Sequence, residues 1–227
     1  MINYWAMGNH NTLGGRPADT ATTCYDRVGG MGYRDMTAVG TMYTPHKGKI
    51  IIPSGVVHST AVKNFGSSAI YFDGTNDYFT VHPESLFEFG ANDFTIEYWI
   101  NPITVSNGQN AGLGGQGNSS GALETVTSAW SSTGQFRFRF DDGTTEQGVD
   151  SNSIFKANIW NHLAIVRAGG ECTLIINGIV DAAADFTGKT LAASTKDFVF
   201  GRQGDYSGDY FKGYLDEIGI YSIVIKQ

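Results

Sequence analysis

The sequence predicts an all-β fold in which two antiparallel sheets pack face to face as a sandwich. Between Ser68 and Tyr221 apolar and polar residues alternate in short runs, which is the period of a half-buried strand. No stretch keeps a helical period, and 30 glycines against 5 prolines suit many tight turns. The chain has 227 residues, of which 41% are hydrophobic, so it is long enough to bury one large core.

The first 34 residues are polar and glycine-rich, with a few aromatic anchors such as Trp5 and Tyr25. This composition cannot form a core of its own, yet it has too many aromatic residues for a flexible linker. It predicts an extended arm that orders against the body or a neighbouring subunit, or else an irregular first layer of the same domain. Weak strands follow up to Val62. We therefore divide the chain into an arm with weak first strands, residues 1–64, and a sandwich domain, residues 65–227.

The stronger strand pattern begins at Ser68 and runs through the turn that contains Asp73 and Asp77. Residues 83–91 predict one short helical turn. Phe94, Ile96 and Tyr98 then alternate with Thr95, Glu97 and Trp99, which is the period of a strand. The glycine-rich span 107–121 predicts a loop.

Three aromatic residues, Phe136, Phe138 and Phe140, alternate with Arg137 and Arg139, which predicts a strand with one apolar and one charged face. The arginines could contact an acidic glycan or a partner protein, but a solvated sheet face is the simpler interpretation.

Further along, Asn177-Gly178 is a strong signal for a type I′ hairpin turn. Cys172 shares a strand face with Leu174 and Ile176, so we expect a buried thiol. The other cysteine, Cys24, is distant in sequence, and two free thiols are favoured over a disulfide.

The charge distribution limits the partners. The net charge is −7 and the pI about 5.1. Residues 1–60 carry five basic and three acidic side chains, and the remainder carries 10 basic and 19 acidic ones. An acidic body argues against nucleic acid as a partner, because phosphate binding needs clustered Lys and Arg. No apolar stretch is long enough for a membrane span, and the N-terminus lacks the features of a secretory signal.

Several sequence matches lack the context that their chemistry needs. Residues 112–117 match G-x-G-x-x-G, but neither a preceding strand nor a following helix is predicted, so no dinucleotide site is expected. Residues 117–121 match G-x-S-x-G without a strand-to-helix turn, which discounts Ser119 as a nucleophile. The five histidines show no zinc spacing. The acidic pairs Asp141-Asp142 and Asp216-Glu217 are adjacent, so their side chains point to opposite faces and do not form the carboxylate pair of a glycosidase.

Ligand recognition is expected at aromatic residues that lie among polar loop residues. Trp130 stands among small polar residues, and Tyr206 and Tyr210 alternate with Asp205 and Asp209. Such rings can stack on sugars, although packing is an equal alternative for Trp130. The two tryptophans in strand-like segments, Trp99 and Trp160, are assigned to packing.

The order of these motifs resembles the laminin-G-like (concanavalin A-like) jelly-roll domain. The resemblance covers residues 65–222 and rests on six segments in order: FDGTNDY, DFTIEYWINP, FRFRFDDG, WNHLAIVRAGGECTLIINGIV, FVFGRQ and FKGYLDEIGIY. The first and last strands of such jelly rolls often neighbour each other, so Asp73, Asp77 and Asp216 could converge. Calcium takes six to eight oxygen ligands, and a structural calcium ion held by these residues is our metal hypothesis. The alternative is that Asp73 and Asp77 only bind turn amides.

The segments SSAIYFDGTNDY and FGANDFTIEYWI are also similar to laminin-G-like domains of tailed-phage structural proteins. That resemblance implies a non-enzymatic virion surface protein, such as a head decoration, fibre or tail-associated protein, assembled in the host cytoplasm. It would dock on capsid or tail protein, could form a homo-oligomer and could bind a cell-surface glycan. A stand-alone carbohydrate-binding lectin module is the alternative. A glycosidase or lyase of this fold ranks third because the clustered carboxylates are missing.

Overall fold

The computed structural model describes residues 2–5, 23–25, 35–37, 42–43, 50–66, 68–82, 88–105, 111–117, 126–131, 133–194, 196–204 and 208–221. All regular elements in these ranges are β-strands, which confirms the predicted all-β class. The described part of the chain contains no helix with the length and hydropathy needed to cross a bilayer.

The strands form two large antiparallel sheets that pack as a sandwich. The first sheet contains, in spatial order, β16 (Ile179–Asp185), β15 (Glu171–Ile176), β14 (Asn161–Ala168), β9 (Phe94–Pro102), β18 (Lys212–Tyr221), β7 (Ala69–Asp73) and β6 (Val57–Ser59), with β1 (Ile2–Trp5) also beside β18. The second contains β13 (Glu146–Ile154), β12 (Gln135–Asp141), β11 (Val126–Trp130), β10 (Ala111–Gln116), β17 (Phe198–Phe200), β8 (Tyr78–His82), β5 (Ile50–Ser54) and β4 (Met42–Tyr43). A separate pair consists of β2 (Thr23–Tyr25) and β3 (Asp35–Thr37).

The core lies between the sheets and is rich in aromatic rings. Strand β12 follows the predicted alternation: Phe136, Phe138 and Phe140 are fully buried, whereas Arg137 and Arg139 lie on the outer face. Strand β9 contributes Phe94, Ile96, Tyr98 and Ile100 to the same core. Each fully buried side chain of this size adds roughly 2 kcal/mol relative to an exposed one, so the two alternating strands supply much of the stability.

The region predicted as a glycine-rich loop contains strand β10, which corrects the sequence interpretation. Gly112 faces the main chain of Arg202 and Gln203, and a Cβ atom there would lie 2.2 Å from the Gln203 nitrogen. Gly114 lies against the rings of Phe198 and Phe200. The glycines therefore permit close packing in a central strand. This reason depends on neighbours distant in sequence, and a glycine run by itself is typical of a loop.

The predicted hairpin is confirmed: β15 and β16 are joined by Asn177 and Gly178, whose φ angles of 53° and 78° are those of a type I′ turn. The buried thiol is confirmed as well. Cys172 is a free cysteine with no exposed surface, and burial raises its pKa to about 12. Cys24 lies in β2, and its side chain is outside what the structure describes.

The weak first strands belong to the sandwich. Strand β5 pairs with β8 in the second sheet, and β6 pairs with β7 in the first. Strand β1 pairs antiparallel with the second half of β18, while β7 pairs with its first half. The backbone of residues 2–5 thus extends the first sheet. Most of the predicted helical turn, residues 83–87, lies outside the described residues.

Candidate ligand-binding site

One end of the sandwich, here called the loop end, collects connections from both sheets. These are the β7–β8 turn (74–77), the segment after β9 (103–105), the β11–β12 turn (131 and 133–134), the segment 155–160, the hairpin turn 177–178 and the segment 201–211, of which 205–207 are not described. Within each sheet, antiparallel pairing puts the end of one strand beside the start of its neighbour. All six connections therefore lie at the same end of the sandwich.

The loop end brings together two of the predicted recognition segments. The backbone of Trp130 pairs with Ala111 in the β10–β11 ladder. The next residue, Gly112, forms a parallel bridge with Tyr210, and its amide donates a 2.6 Å hydrogen bond to the Asp209 carbonyl. Trp130 and Tyr210 are therefore two strand spacings apart, roughly 10 Å. The side chain of Trp130 is not among the described ones, and Asp205 and Tyr206 lie outside the described residues.

At the loop end Arg202, from the segment 201–204, contacts Tyr78, and the sequence did not predict this contact. The guanidinium of Arg202 stacks over the ring of Tyr78 at 4.1 Å from its centre. Both side chains are half-buried beside the turn that follows β7. Burial raises the pKa of Asp209, and its φ of 54° places this residue in the left-handed region. No local motif marks Arg202 or Tyr78, because the contact joins residues more than 120 positions apart.

The three predicted calcium ligands each bind main-chain amides. Asp73 Oδ1 accepts the amide of Thr75 at 2.7 Å, and Asp77 Oδ2 accepts the amide of Asp73 at 2.8 Å. Asp73 pairs with Lys212, four positions along β18 from Asp216, so the main chains of the two aspartates are roughly 13 Å apart. Within the described residues no group of three or more His, Cys, Asp or Glu side chains could share a metal ion. The bonds observed match the turn-amide role, and the calcium site stays a prediction.

The two outward arginines of β12 are paired with acids on β13. Asp150 contacts Arg137 at 3.6 Å and also Arg139, whose Nε lies 3.5 Å from Glu146. The Arg139 side chain crosses over Gly148, where a larger residue would collide with it. The face that could have offered positive charge to an acidic ligand is therefore neutralised locally.

Trp99 packs against other rings, as predicted, but it does so on the outer face of the first sheet instead of in the core. It occupies an odd position of β9, whereas the even positions face the core. The centre of its ring lies 5.3 Å from that of Phe65, in an edge-on arrangement, and 5.3 Å from that of His162, in a tilted one. His162 in turn bonds Glu97 on the neighbouring strand at 3.1 Å. Trp160 is half-buried directly before β14.

A cleft of about 230 Å³ opens at one corner of the loop end, between β13 and the β14–β15 pair. Its apolar wall is formed by Ile154, Phe155, Ile159 and Ile176. Its polar wall includes Lys156 and the amides of Asn161 and Asn177, which bond each other at 3.0 Å. No sequence motif was recognised in the segment 152–159, which supplies most of the cleft lining.

Comparison with known proteins identifies the fold. Residues 73–227 match the model of the laminin-G-like family described as the concanavalin A-like lectin/glucanases superfamily. Among curated protein sequences, none matches this chain.

Several solved structures share the architecture. The binding domain of Paraclostridial Mosquitocidal Protein 1 superposes with a TM-score of 0.63 at 19% identity over 91% of this chain, which spans only 49% of that protein's chain. Domain 4 of AbnA, a GH43 extracellular arabinanase from Geobacillus stearothermophilus in complex with arabinotriose, gives 0.61 at 14% identity, with 97% of this chain and 92% of that one covered. The CBM40 of a Ruminococcus gnavus IT-sialidase bound to α2,3-sialyllactose gives 0.50 at 14% identity, covering 60% of this chain and 79% of that one. At these identities the likeness shows a shared fold.

Proposed function

This chain belongs to the concanavalin A-like lectin/glucanases superfamily, and we propose that it is a non-enzymatic module that binds glycans through its loop end. The observation that supports the proposal is the Gly112 bridge, by which the segment of Trp130 and that of Asp209 and Tyr210 flank β10 on either side. Aromatic rings beside polar loop atoms are what a sugar requires, since it stacks on the ring and forms hydrogen bonds at its edge.

The comparisons support this type of ligand. The mosquitocidal protein domain is a binding domain, the arabinanase domain holds arabinotriose, and the CBM40 holds α2,3-sialyllactose. The same fold in these proteins serves recognition, although fold alone does not decide function.

Three acidic side chains at or near the loop end, those of Asp73, Asp77 and Asp181, favour a binding role over a hydrolytic one. Asp73 and Asp77 accept turn amides, as described above, and Asp181 accepts the amide of Asn152 at 2.6 Å. A retaining glycosidase needs two carboxyl groups about 5 Å apart that face the same bond, one of them free to protonate the leaving group. Carboxylates committed to main-chain amides are poorly placed for that chemistry.

A glycan array probed with the full chain tests the proposal. We expect binding to at least one glycan class, weakened about tenfold by Tyr210→Ala and by Trp130→Ala through loss of a stacking ring. Tyr214→Ala is the matched control, because this tyrosine packs on Tyr71 in the first sheet instead of lying at the loop end. An array without hits, or hits that survive both loop-end substitutions, would contradict the proposal.

We further propose that the module is carried on the surface of a tailed-phage virion, assembled in the host cytoplasm as a head decoration, fibre or tail-associated protein. The support is the resemblance of the segments around Phe72 and Phe94 to phage structural domains. A second observation is that β1, at the start of the arm, pairs with β18 of the sandwich, so strand pairing is one way in which the arm can attach to a protein. Deletion of residues 1–34 should abolish incorporation into particles, whereas unchanged incorporation would refute a docking role for the arm. A stand-alone lectin is the alternative, and it would bind glycans without particle association.

A further inference from the structure

Exposed aliphatic side chains cluster at the corner of the loop end that holds the cleft. Ile154, Ile159, Ile179 and Val180 are 65%, 48%, 73% and 64% exposed. Ile154 and Ile159 line the cleft, and Ile179 pairs across the hairpin with Ile176, which lines it too. Val180 follows on the edge strand and pairs with Ile175, so it points to the opposite face of the sheet. Ile154, Ile159 and Ile179 therefore extend the apolar wall of the cleft, and an exposed apolar patch of this kind marks an interaction site more often than chance exposure does.

This aliphatic corner is held in place by hydrogen bonds between the two sheets. The Asp181 carboxylate of β16 accepts the Asn152 amide at 2.6 Å and the Ser153 amide at 3.2 Å, and it also accepts the Ser153 hydroxyl. On the other wall, Asn177 Oδ1 accepts the His162 amide at 2.8 Å. The cleft is therefore largely pre-formed, which lowers the ordering cost of binding.

Among the described residues, the cleft itself is lined by one charged side chain, a cation, while the Asp181 carboxylate nearby is bonded to Asn152 and Ser153. Lys156 is the charged side chain that lines the cleft, and within the described residues its ammonium group has no hydrogen bond or ion pair. An ammonium group beside an apolar wall complements a carboxylate attached to an apolar group. At physiological salt, charges more than roughly 8 Å away are largely screened. The attraction of Lys156 for a carboxylate in contact with it therefore outweighs the repulsion by the distant acidic residues of the body.

We propose that the aliphatic corner docks a segment of another protein, which inserts an aliphatic or aromatic side chain into the cleft and places a neighbouring carboxylate against Lys156. The exposed patch extends past the cleft to Ile179, the first residue of β16. Its branched aliphatic side chains lack the flat ring face on which sugars stack. The corner adjoins the Trp130 segment, since Ile154 lies two strand spacings from Trp130 through β12, whereas Tyr210 lies on the far side of β10. The inference rests on the cleft and Lys156, so it does not depend on glycan binding.

The test uses synthetic eight-residue peptides with a central Leu-Asp, Leu-Asn, Leu-Lys or Ser-Asp between Gly-Ser flanks. They are titrated into the full chain labelled with ¹³C at isoleucine and valine methyl groups. We expect the Leu-Asp peptide to shift the methyl signals of Ile154, Ile159 and Ile176, and to bind roughly tenfold more tightly than the Leu-Lys peptide, as one charge-assisted contact allows.

Matched variants separate charge from packing. Lys156→Glu should reverse the preference between Leu-Asp and Leu-Lys, whereas Lys196→Glu, at the opposite end of the sandwich, should leave it unchanged. Ile159→Ser should weaken binding about tenfold, and Val57→Ser, an equally exposed position at the other edge of the first sheet, should not.

Several results would overturn the proposal. They are equal binding of Leu-Asp and Leu-Lys peptides, no binding by any peptide, shifts confined to other methyl groups, or shifts produced by free sugars instead. The protein could instead self-associate through this corner, which would appear as a molecular mass that rises with concentration. In that case the corner would bind a second copy of this chain, and the proposal would be wrong. Thermal melts check that each variant is folded. If a variant is unfolded, the proposal is judged from the peptide-induced methyl shifts of the unmodified protein alone.

Discussion

The Asp216 carboxylate accepts a hydrogen bond from the main-chain amide of Phe65 at 3.0 Å, across 151 positions of sequence. It also accepts the amide of Asn64 at 3.2 Å. Asp216 lies where β18 changes partner from β7 to β1, and it has no exposed surface. This carboxylate therefore ties the connection that carries Phe65, which covers Trp99, to the centre of the first sheet.

The Asp216 contact predicts a pH-dependent stability. Burial raises the pKa of Asp216 from 3.8 to about 7, so the folded state favours the protonated acid. Its stabilising contribution is complete below about pH 4 and is lost as the pH rises through 7. Asp216→Asn removes this dependence, so the stability of the variant relative to the unmodified protein should rise by roughly 3 kcal/mol between pH 5 and pH 8.

Urea unfolding of both proteins at pH 5 and pH 8 measures that difference. The comparison must be made between the proteins, because burial lowers the pKa of His58 to about 4 and its contribution changes in the opposite direction. Parallel pH profiles for the two proteins would contradict the prediction.

Arg167 is expected to stabilise the end of the sandwich opposite the loop end. It is 2% exposed and donates to the carbonyls of Gly90 at 3.1 Å and Phe186 at 3.3 Å, and also to that of Lys189. Arg167→Met would leave these carbonyls without a donor and should cost about 3 kcal/mol of unfolding free energy. In the same denaturant titration, Arg137→Met should change stability by less than about 1 kcal/mol, since that exposed arginine forms only surface ion pairs. Similar losses in both variants would argue against a special role for Arg167.

Gly112→Ala should disturb the loop end. The added methyl group would meet the main chain of Gln203 and Arg202, which cannot move aside without shifting the segment 201–204. We expect weaker binding of any glycan found on the array, together with a loss of about 1–3 kcal/mol in stability from the forced backbone shift. Gly148→Ala is the control, because its methyl group would meet the flexible side chain of Arg139. If Gly112→Ala bound the glycan as well as the unmodified protein does, the segment 201–204 would not be part of the glycan site.

Calcium binding can be tested by thermal melting. If Asp73, Asp77 and Asp216 hold a structural calcium ion, the melting temperature should rise with calcium concentration, by mass action. The same melting temperature in calcium chloride and in a chelator would contradict the hypothesis and leave Asp73 and Asp77 with their turn-amide role. A rise with calcium that is abolished by Asp73→Asn would establish the calcium site.

Much of the fold is predictable because its cause is local. Phe136, Phe138 and Phe140 alternate with arginines, and a strand with that alternation has one face that must be buried. The Asn177-Gly178 turn is equally local, since both residues tolerate positive φ. The site is less predictable. Arg202 contacts Tyr78 because β17 pairs with β8, and Ile154 lines the cleft with Ile176 because the two sheets pack together.

The sequence by itself determined the strand alternation, the hairpin turn and the composition of a two-layer core, because these follow from backbone preference and side-chain burial within a few residues. Tertiary structure decided that the glycines at 112 and 114 lie in a strand, that Trp99 packs against Phe65 and that Trp130 and Tyr210 flank the same strand. The physical reason is that sheet register fixes which face and which loops become neighbours, and register is set by the packing of the whole chain.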